Sequence, residues 1–115
     1  MINPDQSKLI EGRNYYFYRL DFCYGYHFNR EPNIYPITKV TAHLDGGYWN
    51  FNDPDTGRII TSFRYYYNGK LAEEYEEAVQ DWNNIVDSYY NKFKSYVAKS
   101  EKNILSRKLP NTLPE

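Results

Sequence analysis

With 115 residues, 13.8 kDa and a formal net charge of −1 from 14 Lys and Arg against 15 Asp and Glu, the chain is the size of one domain. So small a total charge exerts no long-range pull toward nucleic acid or an anionic membrane, and the single cysteine, Cys23, excludes an intrachain disulfide and a thiolate metal cluster. No apolar run reaches the length of a membrane span and no basic segment with an apolar core opens the sequence, so a cytoplasmic setting is expected, with no membrane partner and no cofactor.

In chain order, "NYYFYRLDFCYGY" (residues 14–26) is dense in aromatics, and residues 15–22 are expected to form a strand covered on both faces. "NREPNIYP" (29–36), with two prolines and two asparagines, reads as a connection. Residues 37–45 alternate cleanly, with Val40, Ala42 and Leu44 on one face and Lys39, Thr41 and His43 on the other. Asp45, Gly46 and Gly47 then supply a tight hairpin turn into a short strand over 48–52 that carries Trp49 and Phe51 on one face. "NDPDTG" (52–57) makes the next turn, and the longest strand is expected over 58–67.

Asn68-Gly69 ends the sheet in this reading, with a further hairpin as its rival. From Leu71 to about Asn103 there is no proline or glycine, and Tyr75, Val79, Trp82, Val86, Tyr89, Phe93 and Tyr96 recur at spacings of four and three, the seam of a long helix. The expected fold class is α+β: a small curved antiparallel sheet, in its closed version an SH3-like barrel, followed by a long C-terminal helix. Residues 1–105 form the domain, and 106–115 are expected to be a loose tail.

A helix of thirty residues would extend about 45 Å, whereas a strand of eight to ten residues covers about 26–33 Å. The overhang is expected to leave an aromatic patch for a protein partner, made by Trp82, Tyr89, Tyr90, Phe93 and Tyr96. Charge is distributed to orient such a contact: residues 71–90 hold six acidic side chains and no basic one, and 91–115 hold six basic and two acidic. A homodimer with antiparallel helices follows from that polarity, and docking on a different protein is the alternative. The expected function is therefore a non-catalytic protein interaction module, an inhibitor or adaptor, using the aromatic helix and part of the Tyr-rich sheet.

Two other readings compete. Single-stranded nucleic acid would stack on Tyr15, Phe17, Tyr48, Tyr65 and Tyr67, with Arg19, Lys39, Arg58 and Arg64 on phosphates, although the same region carries seven acidic residues. A small hydrolase would use His43, Asp45 and His27, but no activated nucleophile stands beside them in the sequence. Cys23 and His27 are four apart, a spacing that brings side chains together on a helix but not on the strand or turn expected here, and Asp53 and Asp55 lack the further oxygen ligands of a calcium loop. No metal site or enzymatic activity is expected.

Overall fold

The computed structural model describes residues 1–21, 33–62, 69–93 and 105–110. Among the described residues, five strands and one α-helix make up the body: β1 (Asn14–Asp21), β2 (Asn33–Asp45), β3 (Tyr48–Asn52), β4 (Ile59–Ser62), β5 (Lys70–Ala72) and α1 (Tyr75–Phe93). The sheet runs β4-β3-β2-β1-β5 with every pairing antiparallel. Its ends do not join, so the sheet is open and the barrel version of the expected fold is corrected.

The aromatic density of β1 has a packing reason. Tyr15 and Phe17 point into one apolar cluster with Leu9, Val40, Ala42, Trp49, Phe51 and Leu71, while Tyr18 and Leu20 point into a second with Ala72, Ala78, Trp82, Val86 and Tyr89. Successive side chains of a strand face opposite ways, so a strand that fills two cores shows no polar parity. Residues 15–21 thus form a strand buried on both sides, as its composition indicates; Phe22 lies outside the described residues.

Strand β2 starts earlier than its prolines suggest, because Pro36 sits at an irregularity in the pairing. Phe17 opposes Thr38 and Arg19 opposes Tyr35, which leaves Pro36 and Ile37 facing Tyr18 alone. Proline has no N–H for the ladder, and a bulge is where a strand does not require one. The two-residue turn into β3 is as expected: Asp45 pairs with Tyr48, and Gly46 and Gly47 take φ of 58° and 87°.

The sheet does not end at Gly69. Lys70, Leu71 and Ala72 add β5 to the free edge of β1, against Tyr18, Phe17 and Tyr16 respectively. Leu71 enters one core and Ala72 the other, a use of alternating faces that a helix starting at Leu71 would not allow. The helix begins instead at Tyr75, after Glu74, whose N–H donates to the Glu77 carboxylate at 3.2 Å in the reach-back half of a capping box.

Across its 19 residues α1 is about 28 Å long. The eight residues of β1 cover about 26 Å. The described helix therefore matches the strand beneath it, and the overhang expected of thirty residues is not present as far as Phe93; residues 94–104 lie outside the described part. Two polar contacts fix the helix on the sheet: Asp81 accepts from the buried Tyr18 hydroxyl at 2.7 Å and from Lys70 Nζ at 3.0 Å. Tyr16 adds an edge-to-face contact with Tyr75, ring centroids 5.5 Å apart.

Gly69 supplies a direct test of how closely β5 approaches β1. A Cβ there would stand 2.5 Å from the Phe17 ring and 3.1 Å from the Tyr18 carbonyl. Because Phe17 is buried, Gly69→Ala must displace a core ring and should lower stability by about 1–3 kcal/mol. A fall in urea midpoint with an unchanged slope is the expected result.

Candidate functional site

Helix α1 distributes three consecutive residues to three jobs, since each residue advances about 100° around the axis. Asp81 binds the sheet through Tyr18 and Lys70. Trp82, 5 % exposed, fills the core, yet its indole N–H reaches outward and donates to the Arg107 carbonyl at 2.6 Å. Asn83 lies on the flank, where its side-chain amide donates to the Leu109 carbonyl at 2.8 Å and accepts from the Leu109 N–H at 2.7 Å. A primary amide that pairs with both polar groups of one residue satisfies that stretch of backbone as a neighbouring strand would.

The segment so held, residues 105–110, lies along the helix. Lys108 N–H donates to the Leu105 carbonyl at 3.1 Å, closing one turn that places Leu105 and Leu109 against the apolar cluster under α1. Lys108 Nζ reaches Asp87 at 3.1 Å, an exposed pair of small energetic weight. Residues 106–110, expected to belong to a loose tail, make these contacts with α1; 111–115 lie outside the described part. The charge polarity that suggested a dimer is met in part within one chain.

The expected aromatic surface divides. Trp82 and Tyr89 are buried in the core, so they are not part of a solvent-facing patch. Tyr90 packs half-buried at its margin. Phe93 ends the helix with its side chain outside the described part, and Tyr96 is outside altogether. What α1 turns to solvent is polar: Glu76, Gln80, Asn84, Ser88, Asn91 and Lys92. The seam spacing is therefore a core signal through Tyr89, the ordinary use of an apolar helix stripe.

On the sheet, His43 is exposed and its Nδ1 lies 2.7 Å from Glu11 Oε1, so its partner is Glu11 and not Asp45. Ser62 shares its row through Asn50, two strand spacings or about 10 Å away. That separation exceeds the reach of direct proton transfer. Asp45 lines an open depression of roughly 250 Å³ with Tyr48, Asn50 and Ser62, and His27 and Cys23 lie outside the described residues. Asp53 is a turn residue: its Oδ1 accepts from the N–H groups of Asp55 and Thr56. Among the described residues no three His, Cys, Asp or Glu side chains converge as metal ligands, and no helix is long and apolar enough to cross a membrane.

Of the stacking platform, Tyr15 and Phe17 are buried and present no face to a base; Tyr48 is exposed, and Tyr65 and Tyr67 lie outside the described part. Compared with known protein families, with curated proteins and with solved structures, the chain matches none.

Glu11 was not singled out by its sequence context, though it ties the N-terminal segment to the sheet. The Leu44 N–H and then His43 hydrogen-bond its carboxyl and hold it below the usual glutamate range. A lowered pKa stabilises the fold above the unfolded value, and that contribution is lost as pH falls through the depressed one. The urea midpoint of the native chain should therefore exceed that of Glu11→Gln near neutral pH, and the difference should close on acidification through the carboxylate range.

Proposed function

We propose that this chain is a non-catalytic protein interaction module, of the inhibitor or adaptor kind, which recognises a short peptide segment along the flank of α1. The observation that carries this reading is the two-way bond between the Asn83 amide and the Leu109 backbone. Its neighbours complete a recognition surface: an indole donor from Trp82, a carboxylate from Asp87 and an apolar floor that takes two leucines four residues apart. Backbone-directed bonds fix the position of a peptide, and the apolar and charged contacts select its side chains. The preferred ligand is a turn-and-extended segment with apolar residues at its first and fifth positions and a basic residue at the fourth, the pattern of "LSRKLP" at 105–110.

The test empties the groove without shortening the chain. A full-length variant with Leu105→Asp and Leu109→Asp is titrated with a labelled peptide of the native sequence 103–111. Saturable binding at about 100 μM or tighter is expected, corresponding to roughly 5.5 kcal/mol. Adding Asn83→Ala should weaken it about tenfold or more, since two hydrogen bonds to a partly buried backbone are lost. A folded variant that binds no peptide up to millimolar concentration would remove this reading.

A further inference from the structure

We propose that the hairpin end of β2 and β3, with the neighbouring β4, forms a binding site for a neutral sugar ring, in which Tyr48 is the stacking platform and Asp45, Asn50 and Ser62 supply the hydrogen bonds. The site lies on the sheet, apart from the α1 flank, and does not rest on the peptide-recognition reading.

This end of the sheet carries more polar groups than the fold uses. Val40, Ala42, Trp49 and Phe51 turn one face of β2 and β3 into an apolar cluster, so the alternate residues fall on the other face. There Asp45 opposes Tyr48 and Asn50 opposes Ser62, and the four line the open depression of roughly 250 Å³. Asparagine is depleted in strands, yet Asn50 and Asn52 take two of the five positions of β3. Elsewhere on this face the polar side chains engage one another or the N-terminal segment: Thr41 donates to Asn14 at 2.8 Å, and His43 meets Glu11 at 2.7 Å. Among the described residues no hydrogen bond engages the side chains of Asp45, Asn50 or Ser62, and Asn52 Oδ1, two residues along from Asn50, is buried without a partner. Strand formation alone gives no reason for that surplus.

The chemistry of the four side chains selects the class of ligand. Paired strands bring opposite side chains to about 5 Å and next-but-one residues to about 7 Å, so a carboxylate acceptor, an amide with both functions and a hydroxyl surround a space on the scale of one ring. Neighbouring hydroxyls of a sugar, each a donor and an acceptor, are complementary to that set. Tyr48, 60 % exposed, adds an apolar ring face for the C–H groups of the sugar. The one charge among the described lining residues is the Asp45 carboxylate, which repels a phosphate and accepts from a hydroxyl.

The experiment titrates the full chain, followed by its amide spectrum, with D-glucose, D-galactose and N-acetyl-D-glucosamine. Each is raised to about 100 mM, because a ligand of this size in an open site is held with a Kd of about 1–10 mM. Saturable shifts at Tyr48, Ser62 and the Asn50 side-chain amide are expected with at least one of these sugars. Asp45→Asn and Tyr48→Ala, both at exposed positions, should each weaken that binding by about fivefold or more, with the β1 amides unmoved. Tyr48→Phe keeps the ring face and should retain the affinity within about twofold. Sorbitol, which carries the hydroxyls without the ring, should give no saturable shift. Failure of all three sugars to saturate, shifts that sorbitol reproduces, or binding that survives both Asp45→Asn and Tyr48→Ala would overturn the site. Saturation by inorganic phosphate or uridine monophosphate in place of the sugars would overturn it as well, by assigning the depression to an anion.

Discussion

Strand β1 has to be covered on both faces, and most of the architecture is a consequence. Its residues alternate between two apolar clusters, Tyr15 and Phe17 in one, Tyr18 and Leu20 in the other. Leaving either set in water would forgo several side chains' worth of burial, each about 1.5–3 kcal/mol. The β2–β3 hairpin, the N-terminal Leu9 and Leu71 complete one cluster, while α1 completes the other. Tyr18 adds a directional constraint, because its hydroxyl donates to Asp81, a carboxylate that Lys70 also engages.

The described helix packs over β1 and β5 at one edge of the sheet, with Ile37 of β2 reaching the same cluster. Among the described residues, the flank of α1 at Trp82 and Asn83 is met by residues 105–110. The same event explains why a segment of mixed and charged composition is held in a defined place. Its backbone is satisfied by side chains of the helix, and its two leucines extend the core that the helix begins.

Local rules made much of this legible. The Gly46-Gly47 turn, the alternation that buries Val40 and Ala42, and the seam from Tyr75 to Tyr89 each depend on neighbours within a few positions, and the structure places them accordingly, with Leu44 at the strand's end exposed. Features set by distant partners were not legible. Pro36 reads as a break until Tyr18 is known to sit opposite a bulge, and Leu71 reads as helix until β1 is known to offer a free edge. Trp82 and Tyr89 resemble interface anchors because the aromatic content of a core stripe and of a binding stripe is the same; only the matched lengths of α1 and β1 decide between them. The docking of residues 105–110 on α1 left one faint trace, Leu105 and Leu109 flanking Arg107 and Lys108, in a stretch whose prolines and charges suggested no structure.

The central claim is that residues 105–110 are a ligand of the helix rather than an inseparable part of the core, and amide hydrogen exchange in the native chain addresses it without substitution. A docked ligand opens on its own, so the Leu109 amide and the Trp82 indole should exchange together, at a free energy below that of the β1 amides from Tyr16 to Tyr18, which open only on global unfolding. Exchange of Leu109, Trp82 and β1 at one common free energy, with the same response to denaturant, would contradict the account.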